Sequence, residues 1–478
     1  MQQYEVKNMV YNQPQIRTFV SFVSKIFLRA PNSQSGRIYL IKYNSKATKA
    51  IPKEVFDFYK MEVSTHIDGS IIYLPKKNNV KSCIVLYGKD ENYANLLDFG
   101  AYVGHKIDSG NWKIFTYLNN KNLFKFILGW GLGQYNFKNK NILKCIEVPS
   151  NINKKYLISM LSGIFYGKEL INLPSSDMGP DALEKSFNDF SLYHKATSNI
   201  IKGEEIIKGF PLIHAVGKAS IEGPRLLELN WGNSLDPAIV LIGKGVCFDT
   251  GGLDLKPSQY MRNMKKDMGG AASILSLAHI IIMSKLKVNL KVLIPTVNND
   301  IGPKSMRPGD VFNSRHGITV EIGNTDAEGR LILADTLTYA SEFKPKLIID
   351  FATLTGAARV ALGPDLPAYF TNSDSLASLL NNISSINTDP LWRLPIYKPY
   401  ENRLNSDVAD TNNISADSLA GAIVAALFLN KFVKKNITWL HVDTYAWNEG
   451  RKIGSVKGGD ILGVRSVYDL IKSYISNL

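Results

Sequence analysis

The sequence predicts an α/β protein with two domains, a smaller N-terminal α/β domain over residues 1–160 and a larger α/β/α domain over residues 161–478. The first observation is length, because 478 residues exceed what one hydrophobic core usually organises. The second is composition, since 45% hydrophobic and 21% charged residues are typical of globular proteins. The third is an alternation of apolar runs with helical segments, which predicts a central mixed, mainly parallel sheet covered on both faces.

The N-terminal domain is predicted from short apolar runs separated by helical segments. Four segments carry this pattern, as strands at 37–42 and 82–87 and as helices at 96–106 and 123–132. Residues 169–183 are rich in Pro, Ser, Asp and Gly, which predicts an ordered turn leading into a helix with Pro180 in its first turn. We therefore place the domain connection between residues 150 and 185.

The larger domain shows the alternation more strongly. Continuous apolar runs predict core strands at 238–242, 290–296, 347–351 and 439–442. Helical patterns occupy 271–285, 331–343 and 417–432. In sheets of this kind, ligands bind where loops leave the carboxyl ends of the strands, so we expect the functional residues there.

Charge and cysteine content limit the partners and the compartment. The formal net charge is +14, and residues 1–150 hold 21 Lys and Arg against 10 Asp and Glu, a net of +11. A basic domain can bind nucleic acid, but it can also be a solvated lysine-rich surface. Three scattered cysteines cannot form a disulfide framework or a CxxC zinc site, and no apolar run is long enough to span a bilayer. A cytoplasmic protein without a membrane partner is therefore expected.

Histidine and serine patterns exclude two classes of hydrolase. No two of the seven histidines are spaced i, i+4 and there is no HExxH motif, which excludes a thermolysin-like zinc site. The GxSxG motif of an α/β-hydrolase nucleophile is also absent.

Acidic residues at predicted strand and helix ends carry a stronger signal. Asp249 follows a core strand in the glycine-flanked loop GKGVCFDTGG, and Asp267 lies in KKDMGGAA just before a helix. Asp326 and Glu328 lie in NTDAEGRL, also before a helix. In an extended segment, residues two apart point to the same side, so these last two side chains can face the same ion.

Each acid also has a structural interpretation. Asp267 can be a helix N-cap and Asp249 a turn residue, while Lys244 and Lys256 can be solvated surface lysines. The two acids of NTDAEGR, however, cannot both cap one helix. Four acids gathered at strand ends would repel one another unless cations were bound, and two divalent ions can activate water and polarise a carbonyl. Spacing alone therefore predicts a two-metal hydrolase of unknown substrate, with oxygen ligands suited to Mg²⁺, Mn²⁺ or Zn²⁺.

At these residues the sequence resembles the leucine (cytosol) aminopeptidase family of two-metal peptidases. The matching segments are GKGVCFDTGGLDLKP (243–257), MKKDMGGAA (264–272), RPGDV (307–311), NTDAEGRLILAD (324–335) and DFATLTGA (350–357). Weaker similarities include SDVADTNN (406–413) and WLHVDTYAW (439–447). The first 150 residues resemble the family only faintly, and residues 455–466 depart from the family's usual segment there. The resemblance implies that residues 161–478 are the catalytic metallopeptidase domain.

The resemblance also implies roles for individual residues. It assigns five metal ligands: Lys244, Asp249, Asp267, Asp326 and Glu328. Asp249 and Glu328 would bridge the two ions, and a lysine ligand must be neutral, which a nearby dication favours. Two residues are implied to be catalytic. Lys256 would stabilise the oxyanion formed from the scissile carbonyl, and Arg330 would hold a bicarbonate-like anion that acts as general base.

The implied reaction is removal of the N-terminal residue of a peptide by a hydroxide that bridges two metal ions. The free α-amine would bind one ion and Asp267, which explains exopeptidase action. Substrate binding is assigned to Met264, Asn324, Thr353, Leu354, Gly356 and Ala446. An apolar lining favours Leu- or Met-like first residues. Met264 and Leu354 can also be ordinary core residues.

Several alternatives and implied properties accompany this assignment. One alternative adds DNA binding through the basic N-terminal domain, and another restricts the enzyme to Cys-Gly-type dipeptides. The family resemblance implies two divalent ions per subunit, Mn²⁺ or Zn²⁺ with Mg²⁺ as a further option. It also implies a homohexamer whose active sites face an interior cavity.

Overall fold

A computed structural model describes residues 11–28, 35–43, 51–62, 69–77, 80–88, 95–138, 144–450 and 455–477. The chain divides into two compact units. The smaller unit contains the described residues within 17–165 and 448–457, and the larger unit contains those within 1–16, 166–447 and 458–478. The domain limits 1–160 and 161–478 stay a prediction.

The smaller unit is built on a six-stranded sheet. Its strands are β1 Phe27–Leu28, β2 Gly36–Lys42, β3 Ile71–Lys77, β4 Val80–Tyr87, β5 Gly110–Phe115 and β6 Lys144–Glu147. Its helices are α1 Ile16–Ile26, α2 Lys53–Glu62, α3 Leu96–Lys106 and α4 Asn120–Leu132. The strand order is β1-β6-β5-β2-β4-β3, and all pairs are parallel except β3 with β4. The two strands and two helices predicted for this region are present.

Glycine explains how α3 and α4 approach each other in the smaller unit. A Cβ atom at Gly100 would lie 2.1 Å from the carbonyl oxygen of Phe126, and one at Gly129 would lie 1.9 Å from that of Leu97. Only residues without a side chain allow this backbone contact. The glycine-rich LGWGLG sequence is therefore a packing requirement of this helix pair.

The larger unit contains the remaining elements, except that helix α5 (Lys154–Asn172) and strand β19 (Trp447–Asn448) each have residues in both units. The strands are β7 Thr197–Lys202, β8 Arg225–Trp231, β9 Ala238–Gly243, β10 Gly245–Asp249, β11 Asn289–Asn299, β12 Val311–Asn313, β13 Thr319–Glu321, β14 Leu347–Ala352, β15 Ala368–Thr371, β16 Trp392–Arg393, β17 Thr411–Asn412, β18 Thr438–Asp443, β19 Trp447–Asn448 and β20 Gly458–Gly459. The helices are α6 Pro180–His194, α7 Glu204–Gly209, α8 Pro211–Gly217, α9 Ser258–Met261, α10 Gly269–Met283, α11 Glu328–Glu342, α12 Gly356–Leu362, α13 Asp374–Asn387, α14 Gly421–Asn430 and α15 Val464–Ile475. Two 3-10 helices span Met264–Met268 and Lys398–Leu404.

The main sheet of the larger unit is mixed and mainly parallel, as predicted. Its order is β16-β15-β18-β14-β9-β11-β8-β7, with β10 pairing alongside β11. The inner strands β18, β14, β9 and β11 are parallel, and antiparallel pairs join β15 to β18, β8 to β11 and β7 to β8. Every residue of β14 is buried, so both of its faces are covered, which explains the continuous apolar run LIIDFA.

Several helix boundaries differ from the prediction by two or three residues, and two differences are of structural interest. Helix α5 continues to Asn172, so the turn predicted over residues 169–183 is shorter and ends where α6 begins at Pro180. Helix α14 begins at Gly421 and not at Asp417. Asp417 instead accepts a hydrogen bond from the backbone N–H of Leu419 and pairs with Arg403 at 2.7 Å, which favours a turn at this point.

One helical stretch, Met264–Met283, has the length and apolar composition of a membrane span. Of its most apolar window, 94% is buried inside the protein. It includes α10, which packs on β9 and β14, so it is the core helix of this unit.

Candidate metal centre

The acidic residues lie where strands of the main sheet end and helices begin. Asp249 is the last residue of β10, and Asp267 lies in the 3-10 helix that precedes α10. Glu328 is the first residue of α11, with Asp326 two residues earlier. Lys244 occupies the single position between β9 and β10. These elements therefore bring residues distant in sequence to one edge of the sheet.

Side-chain distances show one connected cluster. The ammonium nitrogen of Lys244 lies 2.8 Å from Asp267 Oδ2 and 2.8 Å from Glu328 Oε1. Lys256 Nζ lies 2.8 Å from Asp249 Oδ2 and also contacts Asp326 Oδ1. Carboxylate oxygens of Asp249, Asp326 and Glu328 lie within 4.8 Å of one another. The structure thus brings the five expected ligands together with Lys256.

Burial and mutual repulsion raise the pKa of two carboxylates of this cluster. Burial, reinforced by the charge of Asp249, raises the pKa of Glu328 to about 8 and that of Asp326 to about 6. Burial alone would lower the pKa of Lys244, but Asp267 and Glu328 raise it well above its usual range. Negative charge therefore exceeds what the site tolerates without cations, and the lysines supply part of the compensation.

The donor set fits divalent metal ions. Glu328 is 1% exposed, and its Oε2 atom has neither a hydrogen bond nor an ion pair among the described residues. A buried carboxylate oxygen without a partner is costly, so this atom is suited to a cation. Carboxylate oxygens and one amine nitrogen are ligands that Mg²⁺, Mn²⁺ and Zn²⁺ accept.

The structure contradicts the structural interpretation of Asp267 and supports that of Asp249 in part. Helices α10 and α11 have Met268 and Ala327 at their N-caps, and neither cap makes a side-chain hydrogen bond, so the N-cap interpretation of Asp267 is wrong. The turn interpretation of Asp249 is confirmed in part, because its Oδ1 accepts a hydrogen bond from Gly251 N at 2.9 Å. Its Oδ2 atom still faces the cluster through Lys256.

Asn299 and Thr325 join the two acidic loops, and sequence analysis assigned them no role. Asn299 Nδ2 donates to Asp249 Oδ1 at 2.9 Å and to the carbonyl oxygen of Thr325 at 3.1 Å. Thr325 Oγ1 donates to the carbonyl oxygen of Gly251 at 2.6 Å, and Thr325 N donates to Asp254 Oδ2 at 2.7 Å. Asn299 lies just beyond a predicted core strand, and this position is the sequence feature that could have identified it as a site residue.

Asn413 holds the loop before α11 and contacts Arg330. Its Oδ1 accepts from Gly323 N at 2.8 Å, its Nδ2 donates to the carbonyl oxygen of Asn324 at 2.8 Å, and its carbonyl oxygen accepts from Arg330 Nη1 at 2.6 Å. Asn324 Oδ1 in turn accepts from Asp326 N at 2.6 Å. Asn324 therefore shapes the loop that presents Asp326.

Arg330 is buried beside the cluster, and its guanidinium group has a hydrogen-bond donor without an acceptor among the described residues. Burial lowers its pKa to about 10, and the charges of Glu328 and Asp443 oppose that effect. Arg330 Nε has no hydrogen-bond acceptor among the described residues. An anionic oxygen would satisfy this donor.

Among the expected substrate-binding residues, Thr353 contacts a carboxylate of the cluster, and Ala446 and Leu354 lie beside Thr353. Thr353 Oγ1 donates to Asp267 Oδ1 at 2.7 Å, and its carbonyl oxygen accepts from Lys244 Nζ at 3.0 Å. A Cβ atom at Gly269 would lie 2.3 Å from Ala446 Cβ and 3.1 Å from Thr353 Cγ2, so these two line the start of α10. Leu354 N donates to Asp443 Oδ1 at 3.0 Å.

Two expected substrate-binding residues are adjacent only along the chain. Met264 begins the 3-10 helix that carries Asp267, and Gly356 begins α12. Neither makes a side-chain hydrogen bond or ion pair to the cluster in the described part of the chain. Leu354 also packs partly against the main hydrophobic core, so its structural role coexists with the expected one.

Two further cations lie beside this group. The ammonium nitrogen of Lys266 lies 4.7 Å from the centroid of the Tyr445 ring, and the guanidinium carbon of Arg359 lies 4.8 Å from the same centroid. Burial lowers the pKa of Lys266 to about 8, Asp267 opposes this, and Lys244 lowers it further. Lys266 therefore lies within electrostatic range of the carboxylate cluster.

Comparisons with known proteins agree with this geometry. Residues 165–468 match the sequence profile of the cytosol aminopeptidase family, catalytic domain. A probable cytosol aminopeptidase of Chlamydia abortus is 40% identical over 327 residues, which cover 66% of this chain and 65% of that protein. The match thus spans just under two thirds of that relative's length. A probable cytosol aminopeptidase of Phytoplasma mali is 34% identical over 375 residues, covering 74% of this chain and 75% of the relative.

Solved structures extend the similarity to nearly the whole chain. The crystal structure of a cytosol aminopeptidase from Coxiella burnetii superposes with a TM-score of 0.86 and 37% identity, covering 94% of this chain and 99% of that one. The bottromycin maturation enzyme BotP in complex with Mn gives a TM-score of 0.83 at 25% identity, covering 93% and 100%. This chain therefore belongs to the cytosol aminopeptidase family, a family of metallo-exopeptidases that are hydrolases.

Proposed function

We propose that this protein is a metal-dependent aminopeptidase that removes single residues from the free N-termini of peptides. The observation that carries the proposal is the carboxylate cluster of Asp249, Asp326 and Glu328, whose oxygens lie within 4.8 Å of one another. Glu328 Oε2 in this cluster is buried without a partner among the described residues. Family membership supports the same activity.

The residues that would hold two ions are those of the cluster. Asp249, Asp326 and Glu328 would bind one ion, and Lys244, Asp249, Asp267 and Glu328 the other. Bound divalent ions supply Lewis acidity at the scissile carbonyl and lower the pKa of an attacking water. Lys244 must give up its proton to act as a ligand, so metal binding is expected to release protons.

Lys256 and Asp267 would orient the substrate. Burial lowers the pKa of Lys256, but Asp249 and Glu328 raise it above its usual range, so the side chain stays cationic near neutral pH. A fixed ammonium group can donate to the carbonyl oxygen as negative charge develops there. Asp267 would accept a hydrogen bond from the α-amine of the substrate, which restricts cleavage to the first residue.

Arg330 would hold the general base. Its Nε donor lacks an acceptor in the described part of the chain, and a planar bicarbonate-like anion suits a guanidinium fork. Such an anion beside Glu328 could accept the proton of the attacking water.

The first-residue pocket would be lined by Met264, Thr353, Leu354 and Ala446, with Asn324 and Gly356 nearby. Apolar side chains favour Leu- or Met-like first residues. Mn²⁺ or Zn²⁺, with Mg²⁺ as a further option, would occupy the cluster in a cytoplasmic homohexamer. The Mn-bound BotP neighbour supports manganese as the first metal to test. The nucleic-acid alternative has no supporting observation among the described residues and is not proposed.

The test compares wild-type protein with Asp326→Ala for metal content and for turnover of Leu-p-nitroanilide in Mn²⁺. Loss of at least one bound ion and a fall in kcat of at least about 100-fold are expected, because one carboxylate ligand is removed. Asp407→Ala, which changes an exposed acid, is the matched control. Unchanged turnover in Asp326→Ala would refute the proposal.

A further inference from the structure

Lys266 is a buried cation without an anionic partner. Lys266 is 5% exposed, and its ammonium group makes no hydrogen bond or ion pair among the described residues. Its ammonium nitrogen lies 4.7 Å from the centroid of the Tyr445 ring. A cation–π contact compensates only part of the cost of removing an ammonium group from water. The nearby charge of Asp267 raises the pKa of Lys266 only in part, so a negative group in direct contact with the ammonium group would stabilise its charge.

Arg359 adds a second cation at the same place. Its guanidinium carbon lies 4.8 Å from the Tyr445 ring centroid, and the described residues offer it no carboxylate. The nearest acid to Lys266 along the chain, Asp267, is already engaged by Lys244 at 2.8 Å and by Thr353 at 2.7 Å. Two cations thus converge on one aromatic ring, and no carboxylate of the described residues forms an ion pair with either.

Both cations lie beside the residues assigned to the substrate. Lys266 lies between Met264 and Asp267 in the 3-10 helix, and Tyr445 directly precedes Ala446. Arg359 lies in α12, the helix that begins at Gly356. The charges of Asp267, Lys244 and Lys256 act on Lys266, so a peptide bound at the metal centre would lie within electrostatic range of this lysine.

We propose that Lys266 and Arg359, held at Tyr445, bind a carboxylate group of the peptide substrate. The inference rests on the proposed aminopeptidase function and adds to it a preference for peptides that carry a carboxylate close to the scissile bond. That carboxylate has two sources, an acidic side chain on the first residue or the C-terminal carboxylate of a dipeptide. Either would supply the missing counter-charge.

Three peptides separate these sources. Leu-Gly-amide carries no carboxylate, Glu-Gly-amide carries one on the first side chain, and Leu-Gly carries one at the C-terminus. Each is measured as a substrate with Mn²⁺, and as an analogue in which CH₂–NH replaces the scissile amide, so that isothermal titration reads binding without turnover. The variants are Lys266→Met, the charge-keeping Lys266→Arg, and Lys265→Met. Lys265 is a matched control, because its ammonium group already donates to the carbonyl oxygen of Asn172 at 2.6 Å.

The expected result is a preference of wild type for one carboxylate-bearing peptide over Leu-Gly-amide that falls at least about tenfold in Lys266→Met. Lys266→Arg should retain most of the preference, and Lys265→Met should retain it fully. The peptide whose advantage over Leu-Gly-amide falls in Lys266→Met identifies the source of the carboxylate. Equal preference ratios in wild type and Lys266→Met, in both turnover and analogue binding, would overturn the inference. Failure of wild type to hydrolyse any of the three would count against the aminopeptidase function, while analogue binding would still decide the carboxylate site.

Discussion

The buried carboxyl group of Glu328 shows why this site favours a bound cation. The fold raises its pKa from 4.5 to about 8, with burial as the main cause. In the metal-free protein, stability linked to this group is fully present below about pH 4.5, where the carboxyl is protonated in both states, and is lost as pH rises through about 8. A bound cation would remove this penalty.

Glu328→Gln should therefore flatten the pH dependence of stability in chelator-treated protein. Between pH 5 and pH 8, wild type should lose on the order of 2 to 4 kcal/mol relative to the variant, because glutamine does not ionise. Urea denaturation at several pH values measures this. With Mn²⁺ added, wild type should become the more stable protein. If the stabilities of wild type and Glu328→Gln changed in parallel with pH in the absence of metal, Glu328 would not be the group responsible for the pH dependence.

Lys256 allows catalysis to be separated from metal binding. Lys256→Met removes the ammonium group and keeps much of the side-chain volume, so kcat on Leu-p-nitroanilide should fall about 100- to 1,000-fold. Metal content, measured by elemental analysis, should remain at the wild-type level. Loss of metal together with activity would instead make Lys256 a structural part of the ion site.

At the scale of secondary-structure elements, hydrogen bonds between loops fix the positions of the site residues. Asn299 at the end of β11 joins Asp249 to the loop that carries Asp326. Asn299→Ala should lower the affinity for Mn²⁺ about 10- to 100-fold, as expected for residues that orient metal ligands. Isothermal titration calorimetry of Mn²⁺ binding to the metal-free protein measures this affinity. Asn298→Ala, at the neighbouring position, should change the affinity far less; equal losses in the two variants would contradict the assignment.

Helix α8 depends on a residue of helix α11. Its N-cap residue, Phe210, makes no side-chain cap, and Asp335 instead accepts hydrogen bonds from Leu212 N at 2.8 Å, Ile213 N at 3.3 Å and Arg315 N at 2.8 Å. Asp335→Ala leaves these buried donors unsatisfied.

We expect Asp335→Ala to lower the free energy of unfolding by about 3 kcal/mol, measured by urea denaturation. Asp374→Ala, which changes an exposed acid in the first turn of α13, should cost about 0.5 kcal/mol or less and serves as the control. A loss no larger than that of the control would mean that Asp335 is not the effective cap of α8.

At the scale of the whole molecule, the ligands and the main core belong to one unit. Mn²⁺ should therefore stabilise the larger unit by about 2.7 kcal/mol when the free ion is 100 times Kd. In differential scanning calorimetry, the transition of the larger unit should move to higher temperature as Mn²⁺ is added. Asp326→Ala should show little movement at the same concentrations. A Tm that does not respond to Mn²⁺ in wild type would contradict metal binding by the folded cluster.

Local patterns in the sequence determined much of this protein. Continuous apolar runs such as LIIDFA predicted the core strands, because a strand buried on both faces has no polar side to show. NTDAEGR and GKGVCFDTGG predicted metal-binding acids, because several carboxylates gathered at strand ends repel one another unless cations are bound. Helix ends were predicted less well, since Asp417 adopts a turn through contacts with Leu419 and Arg403.

Only the tertiary structure decided which of these groups meet. The pairing of Lys244 with Asp267 and Glu328, the bridging role of Asn299 and the cap from Asp335 join segments far apart in the chain. The convergence of Lys266 and Arg359 on Tyr445 was equally invisible in the sequence. The physical reason is that secondary structure follows from neighbours along the chain, whereas a site is set by the register of strands and the contacts between the loops that leave them.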